Sequence, residues 1–264
     1  MYAAVAEVYG DQMNFRVTAG AYDRFMGRFS APLAVVFADW VGVEPGMRVL
    51  DVGSGPGALS AVLVERVGPG MVAAVDPMPG FVEALRERLP DVAAAISGAE
   101  DLPHEDDTFD ATLANLVVPF MADPHAGVRE MVRVTRPGGL VAVTVWQHAD
   151  GISPLTPFWD GVHTVDPDAT DEALLLGAAQ GQLPGLLTAT GLTDARSTAL
   201  AVTVDYDSFD EWWTPFTQGV GPAGVYLAAQ APERQREIRE ACADVLGPAP
   251  FTVRGEAWCA AAHA

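Results

Sequence analysis

The sequence has no lysine, few cations and an excess of acids. Its 264 residues include 15 cationic side chains, all arginines, against 35 aspartates and glutamates, which gives a formal net charge of -20. Such a chain repels polyphosphates over its whole surface. We therefore expect no nucleic-acid partner and favour a small-molecule substrate.

Cysteines, metal-ligand patterns and long apolar runs are also scarce. Cys242 and Cys259 are too few for a disulfide framework or a zinc site. Histidines do not recur at ligand spacing, and the acidic stretch 105–107 is typical of a solvated turn, so no metal is expected. The longest apolar stretches are either interrupted by Asp39 or too short to span a bilayer. We expect a cytoplasmic protein that does not bind membranes.

Between residues 48 and 146, short apolar runs alternate with amphipathic stretches. This order predicts βαβ units and a mainly parallel α/β sheet. Prolines and glycines such as those at 68–70 and 137–139 separate the predicted elements. The expected strands are Arg48–Val52, Met71–Val75, Val92–Ile96, Asp110–Val117 and Leu140–Trp146, and the helices are Ala58–Val67, Phe81–Leu89 and His125–Val134.

The flanking regions are less regular. Residues 1–44 read as a helical N-terminal segment, and residues 45–264 as one domain. Two further strands are expected at Ser197–Tyr206 and Pro250–Ala260. Two stretches rich in aromatics and prolines, at about 147–180 and 208–246, read as insertions that form a helical cap over one end of the sheet.

The strongest motif is a tight glycine turn after the first predicted strand. It runs from Asp51 through Gly53, Ser54 and Gly55 to Gly57. Residues without side chains let a ligand approach the backbone closely, and the amides at the start of the next helix favour negative groups. Asp76 follows 19 residues after Gly57 at the end of the second strand, where an acid binds ribose hydroxyls.

These glycines alone do not choose a cofactor, because they also satisfy the looser dinucleotide pattern. Three features favour another ligand. Asp51 would crowd a pyrophosphate but can order a loop that faces an ammonium group. The first strand follows a long helical segment, and Arg136-Pro137-Gly138-Gly139 precedes the fifth strand.

With these motifs in place, the chain resembles class I S-adenosylmethionine-dependent methyltransferases, especially the ubiquinone and menaquinone biosynthesis enzymes. The resemblance covers about residues 45–146, and the segment Tyr22–Ser30 is also similar. It implies a Rossmann-like, doubly wound, seven-stranded and mostly parallel sheet with an antiparallel last strand. It also implies S-adenosylmethionine as cofactor.

The resemblance assigns cofactor contacts to individual residues. Gly53, Ser54 and Gly55 would contact its amino-acid part, and Asp76 its ribose. By the same resemblance, Met78, Gly98, Ala99 and Glu100 would lie near the adenine, and Asn115 and Leu116 near the methionine. Apart from the resemblance, Asp51 and Gly57 of the turn are expected to contact the cofactor, and Arg28 is expected to pair with its carboxylate. Gly98 departs from the family, which often has an acid there, so Glu100 or the backbone would have to replace that contact.

Methyl transfer needs mainly alignment and exclusion of water, with a base only for some acceptors. His148, after the fifth strand, and Tyr22 are the candidate catalytic residues. Aromatic side chains in the cap and at strand ends indicate a hydrophobic acceptor pocket. Those residues are Phe120, Trp146, Phe158, Trp159, Trp212, Trp213, Phe216 and Tyr226.

The expected function is methyl transfer to a small apolar or aromatic metabolite. Two alternatives stay open at this point. One is a protein that uses the bound cofactor as a sensor, a scaffold or an aid to cyclisation. The other is a nicotinamide-dependent oxidoreductase on a related fold.

Overall fold

The computed structural model describes residues 19–264, so residues 1–18 of the predicted helical segment 1–44 lie outside the described part. The strands are β1 Val49–Val52, β2 Val72–Asp76, β3 Ala93–Ile96, β4 Phe109–Asn115, β5 Thr135–Trp146, β6 Arg196–Tyr206 and β7 Phe251–His263. The α-helices are α1 Ala19–Tyr22, α2 Arg28–Val41, α3 Ala58–Val67, α4 Pro79–Arg88, α5 Pro124–Val134, α6 Thr156–Val165, α7 Gln182–Ala189, α8 Phe209–Trp213, α9 Gly221–Ala228 and α10 Pro232–Leu246.

The strands form one seven-stranded sheet in the order β3-β2-β1-β4-β5-β7-β6. The contacts among β1 to β5 are parallel, and β7 runs antiparallel to both β5 and β6. The predicted Rossmann-like sheet with an antiparallel last strand is confirmed. Helical crossovers keep the first five strands parallel, whereas the β6–β7 connection reverses the chain direction.

Helices cover both faces of this sheet. On one face Phe37, Leu63 and Leu85 are buried against the strands, and on the other face Met131 and Leu187 are buried. Because both faces are covered, β1 and β2 are buried along their whole length. Among residues 19–264, none of the helices combines the length and the apolar character that a bilayer span requires.

A third cluster of apolar side chains lies in the cap segments. Phe158 of α6 stacks on Phe216 with ring centroids 4.6 Å apart, and Phe25 meets Phe216 edge-on at 5.0 Å. Trp212 and Ile238 are buried in the same cluster. The cap therefore has its own core and packs on the N-terminal helical segment. The boundaries proposed for the cap insertions stay a prediction.

Two local features differ from the sequence-based expectation. β5 begins at Thr135 rather than Leu140, because the Pro137–Gly139 stretch is absorbed as an irregularity in the pairing with β4. Between α1 and α2 the chain makes a π-helical turn, Asp23–Gly27. Such turns often occur at functional sites. Tyr22 precedes this turn, Met26 belongs to it, and both line an apolar cavity that is described below.

Candidate active site

The candidate site lies at the carboxyl ends of β1 and β4. From β1 the chain proceeds outward to β2 and β3, whereas β4 and β5 continue on the other side of β1. This reversal leaves a crevice between the ends of β1 and β4, the position where open α/β sheets bind ligands. The glycine turn follows β1, and Asn115 and Leu116 lie at the end of β4.

The backbone amides of the glycine turn already have partners within the protein. The amides of Gly53 and Ser54 donate to the Val75 carbonyl at 2.8 and 3.0 Å. The Gly55 amide donates to the Asp76 carboxylate at 2.8 Å, and the Gly57 amide donates to the Ser54 carbonyl at 3.0 Å. The turn therefore does not offer these four amides to an anion. The amides at the start of α3, which the sequence analysis expects to favour negative groups, are a separate set.

Gly53 and Gly55 serve different purposes. A Cβ on Gly53 would lie 2.2 Å from a methyl carbon of Val117, so close packing requires glycine there. Gly55 has φ +53° and no heavy atom within 4 Å of its Cβ position. It lines a cavity of about 300 Å³, which we call the glycine crevice, together with Tyr22, Asp51 and Asn115. Gly57 lies outside this crevice, with its Cβ position 3.2 Å from Leu85.

Two buried aspartates stand beside the turn. Asp76 is 6% exposed, and its two oxygens accept from the Gly55 and Met78 amides at 2.8 Å each. Asp51 is fully buried; one oxygen accepts from the Ser60 hydroxyl at 2.6 Å, and the other has no partner among the described residues. Burial raises the pKa of Asp76 and raises the pKa of Asp51 to about 7, although the Ser60 hydroxyl opposes the second shift.

The expected adenine-side residues lie around the carboxyl end of β3. β3 pairs with β2 up to the Asp76–Ile96 register, and Gly98 follows two residues later. A Cβ on Gly98 would lie 2.9 Å from a carboxylate oxygen of Glu100. The other Glu100 oxygen accepts from the Asp123 amide at 3.1 Å. Ala99 is buried, whereas Met78 is half-buried next to Asp76. Glu100 thus places its carboxylate beside the position that lacks the family's usual acid.

The end of β4 holds a strained residue. Leu116 adopts φ +65°, a conformation that costs free energy for a side chain of this size. Its amide donates to the carbonyl and to the hydroxyl of Thr144, both at 3.1 Å. The same hydroxyl donates to the Asn115 side-chain oxygen at 2.8 Å. β5 therefore fixes the turn that carries Asn115 into the glycine crevice and Leu116 into the neighbouring cavity.

That neighbouring cavity, which we call the apolar chamber, has an empty volume of about 570 Å³, part of which is open to solvent. Leu116, Phe120 and Trp146 supply part of its predominantly hydrophobic wall. Tyr22 lines both the apolar chamber and the glycine crevice, so its side chain stands where the two meet. A ligand in the crevice and a second molecule in the chamber would lie on either side of this residue.

Most of the predicted pocket aromatics lie elsewhere. Phe120 and Trp146 line the apolar chamber, whereas the other six are absent from its wall. Their rings pack mainly on one another because amphipathic cap helices bury their aromatic faces together. Five of the six, Phe158, Trp159, Trp212, Trp213 and Phe216, are buried in the cap core, and Tyr226 packs against it and donates to Asp166 at 2.8 Å.

The two predicted catalytic residues border the chamber, but neither is a strong base there. Desolvation lowers the pKa of His148 to about 3, so its ring is neutral at physiological pH. Burial, followed by the charges of Asp76 and Asp23, raises the pKa of Tyr22 further above its ordinary range, so its phenol keeps its proton. A neutral imidazole and a phenol can position an acceptor by hydrogen bonds. Their catalytic role stays a prediction.

Glu172 is a chamber residue that the sequence reasoning missed. It is 2% exposed, and both of its carboxylate oxygens have no hydrogen-bond partner among the described residues. No arginine is among the described residues that line the chamber. Glu172 lines the chamber and also borders a smaller polar cavity, as His148 does. Its sequence context, an acid before several leucines, is that of an ordinary helix start, so no motif distinguishes it.

Arg28 has partners other than a cofactor in this structure. Its guanidinium donates to Glu211 at 2.6 Å and to the Asp205 carbonyl at 3.0 Å. It also lies 4.2 Å from the centre of the Tyr206 ring. The predicted contact with the cofactor carboxylate would require this arrangement to open, because the cap already satisfies the charge.

Known proteins with similar sequences and structures help to interpret this site. Residues 50–143 match the family described as "Methyltransferase domain". An uncharacterized methyltransferase of Mycobacterium tuberculosis is 39% identical over 139 residues, which are 52% of this chain and 54% of that protein. The chain therefore spans about half the length of these relatives.

Over residues 50–143 the chain is similar to methyltransferase domains. Demethylmenaquinone methyltransferase of Paenarthrobacter aurescens is 27% identical over 213 residues, or 76% of this chain and 77% of that enzyme. The structure of geranyl diphosphate methyltransferase in complex with SAM shares the fold at TM-score 0.51 and 16% identity, over 90% of this chain and 87% of that one. The resemblance to S-adenosylmethionine-dependent methyltransferases is thus confirmed.

S-adenosylmethionine is the methyl donor of this domain class, and the glycine crevice fits it in two respects. The unpartnered Asp51 oxygen is a buried acceptor that an ammonium group can satisfy. The open space at Gly55 leaves room for a ligand against the backbone of the turn. Asp51 and Gly55 therefore line the crevice, and Asp76 holds the Gly55 amide from behind the turn.

Proposed function

We propose that this protein transfers a methyl group from S-adenosylmethionine to a small apolar or aromatic metabolite. The observation that carries the proposal is the shared wall at Tyr22 between the glycine crevice and the apolar chamber. One cavity suits a charged amino-acid nucleoside, and the other suits an apolar body. Their junction is the place where a methyl group could pass between two ligands.

Several residues would hold the donor. The free oxygen of Asp51 would accept from its ammonium group, and Asp76 has unused lone pairs for the ribose hydroxyls. Glu100 would accept from the adenine amino group in place of an acid at residue 98. When bound, the sulfonium supplies an activated methyl group that needs no further chemical activation.

The chamber would supply alignment and exclude water. Its wall is built mainly from apolar side chains, including Met26, Leu116 and Trp146. Apolar surfaces exclude water and bind flat hydrophobic molecules, and aromatic ring faces attract a sulfonium. In-line transfer gains most of its rate from this positioning, so a strong catalytic constellation is not required.

The occupied amides of the turn disfavour a dinucleotide. A pyrophosphate is usually bound by free amides at this turn, but here Gly53, Ser54 and Gly55 all donate within the protein. The nearby carboxyls of Asp51 and Asp76 would also repel its two charges when ionised. This observation supports the methyl donor over a nicotinamide carrier.

Calorimetry with S-adenosylhomocysteine and with NADH tests the cofactor. We expect binding of S-adenosylhomocysteine only; binding of NADH alone would refute the proposal. A screen of small aromatic and aliphatic compounds with methyl-labelled donor then tests the acceptor class. Donor binding without transfer to any extract component would favour a sensor, scaffold or cyclisation role instead.

A further inference from the structure

Glu172 presents an unusual combination of burial and missing partners. It begins the short 3₁₀ turn Glu172–Leu174, whose cap is the neighbouring Asp171 side chain. Asp171 therefore satisfies the backbone, and the Glu172 carboxyl is not needed for that task. Neither buried Glu172 oxygen makes a hydrogen bond of good geometry, and the Trp159 indole nitrogen is itself buried without such a partner. The Trp159 indole and the Ala223 amide are donors close enough to influence the pKa of the carboxyl, but neither satisfies it fully. Buried polar groups without partners are rare and costly in folded proteins, so such a group calls for a ligand or a function.

The surroundings of Glu172 are otherwise apolar or neutral. On the chamber side, Leu155, Leu175 and Val220 are apolar wall residues. The polar residues of the chamber wall are Tyr22 and His148, and their shifted pKa values keep both uncharged. Among residues 19–264, those that line the chamber include no arginine that could pair with the carboxyl.

The other side of Glu172 faces the smaller polar cavity of about 300 Å³. Asp160, His163, Asp171 and Trp159 line that cavity. Burial raises the pKa of Glu172 to about 8, and the charge of Asp171 adds to this shift while the Trp159 indole and the Ala223 amide oppose it. The carboxyl is thus mostly protonated at pH 7 and mostly ionised above pH 8, and in either state it can hydrogen-bond a hydroxyl group.

We propose that Glu172 determines acceptor specificity by hydrogen-bonding the hydroxyl group of a flat, apolar acceptor, such as a phenol or an enol, that fills the apolar chamber. This inference rests on the proposed function, since it names the acceptor class of that same site. The chamber wall binds the hydrophobic body, and the carboxyl binds the single polar group. An acceptor with its own carboxylate would be disfavoured beside Glu172.

A hydroxyl group fits this site better than an amine. An alkylamine enters as a cation, and an ionised Glu172 would stabilise that protonated form, which has no lone pair for attack. A hydroxyl group enters neutral and keeps its oxygen lone pairs while it donates to the carboxyl. In the transfer the S–CH3 bond of the donor breaks, the O–CH3 bond forms, and the hydroxyl proton passes to the ionised Glu172 carboxylate. Once that proton has left for solvent, the carboxylate can only accept hydrogen bonds, so it no longer binds the ether and the product leaves more easily than the acceptor.

Binding of matched probes tests the inference. The probes are 2-naphthol, its methyl ether 2-methoxynaphthalene, and 2-naphthylmethylamine, and the dissociation constants are measured by calorimetry with and without S-adenosylhomocysteine. Above pH 8, where an ionised Glu172 accepts hydrogen bonds but cannot donate them, we expect the unmodified protein to bind 2-naphthol about tenfold more tightly than the ether. The Glu172→Leu variant should lose this preference, and Glu172→Gln, which keeps one acceptor oxygen, should retain part of it.

The matched control is Glu233→Gln, because Glu233 is exposed on α10 and pairs only with Arg236 at 3.2 Å. This variant should keep the full preference for 2-naphthol. Thermal unfolding of each variant shows whether the fold is retained, and the isosteric Glu172→Gln variant keeps the test open if Glu172→Leu does not fold.

Three outcomes would overturn the inference: equal affinity for 2-naphthol and its ether, an unchanged preference in both Glu172 variants, or preferential binding of the amine. If a Glu172 variant keeps the preference for 2-naphthol but unfolds at a lower temperature, Glu172 stabilises the cap and does not bind the acceptor. Failure of the proposed function is seen separately, as absence of S-adenosylhomocysteine binding, since the probe measurements without nucleoside still decide the role of Glu172.

Discussion

The glycine crevice and the apolar chamber share Tyr22 but are built by different means. In the crevice, backbone amides and two aspartates are tied together by hydrogen bonds at 2.6 to 2.8 Å, within a stretch that includes β1, its turn and the end of β2. In the chamber, apolar side chains come from separate segments around residues 22, 116, 146, 155, 172 and 220. A local motif thus builds the donor site, whereas tertiary packing builds the acceptor site.

The difference has a functional consequence. A crevice held by backbone hydrogen bonds is rigid and selects one ligand. Proteins that use the same donor can therefore share the same crevice. A chamber lined by side chains from a cap can change its shape with a few substitutions while the donor site stays the same. The unpartnered carboxyl of Glu172 belongs to the second, variable region.

The Gly55→Val variant should break the crevice and leave the chamber intact. Gly55 has φ +53°, and its Cβ position points into open space, so a branched side chain would both strain the turn and occupy the crevice. We expect S-adenosylhomocysteine affinity to fall by about 100-fold or more. Gly191→Val is the control, since Gly191 is an exposed glycine at φ +100° outside both cavities. Equal affinity losses in the two variants would assign the effect to backbone strain alone.

The free energy of unfolding should depend on pH through one buried acid in each region, Asp51 in the glycine crevice and Glu172 in the apolar chamber. Burial raises the pKa of Asp51 to about 7 and that of Glu172 to about 8, above their unfolded values near 4. The folded chain then binds these protons more tightly, so the free energy of unfolding falls as pH rises from about 4 to about 8. At about 1.4 kcal/mol per pKa unit, each acid contributes at most about 4–5 kcal/mol to this fall.

Urea unfolding at pH 5 and pH 8 measures this fall. The Asp51→Asn and Glu172→Gln variants should each flatten it, because each amide stays neutral at both pH values. The exposed Glu233→Gln change should leave it as in the parent protein. If neither buried substitution alters the difference in the free energy of unfolding between pH 5 and pH 8, other groups titrate in this range.

Asp76→Asn should weaken donor binding less severely than the change at Gly55. The amide keeps one acceptor oxygen, but it cannot serve the Gly55 and Met78 amides and a ribose together. We expect S-adenosylhomocysteine affinity to fall by about 1–3 kcal/mol, as for a lost hydrogen bond to a charged group. Asp110→Asn is a matched control, because Asp110 accepts the Arg48 amide at 2.6 Å away from both cavities. Unchanged affinity in Asp76→Asn would limit Asp76 to holding the turn.

The smallest effect is expected for Arg28→Gln. Its ion pair with Glu211 is about one-third exposed on each side, so its loss should lower the free energy of unfolding by less than about 1 kcal/mol. S-adenosylhomocysteine affinity should stay within about twofold, because the guanidinium contacts the cap. A tenfold loss of affinity would instead place Arg28 at the cofactor carboxylate, in the crevice rather than the cap.

Sequence patterns predicted the crevice better than the chamber for a physical reason. The turn from Asp51 to Gly57 and the acid at Asp76 depend on local conformation and on one parallel strand pair, which spacing encodes. The chamber depends on which aromatic side chains face a cavity. Periodicity cannot separate these from core residues, since Phe158 and Trp146 are equally apolar and buried.

The sequence by itself determined the order of strands and helices, the glycine turn and the two acids beside it, because these follow from short-range conformational preferences and from alternation of apolar residues. Only the tertiary structure decided that the turn amides are already occupied, that Arg28 binds Glu211, and that Glu172 is buried without a partner. Such contacts join residues far apart in the chain. Their energies depend on packing and burial, which no local pattern specifies.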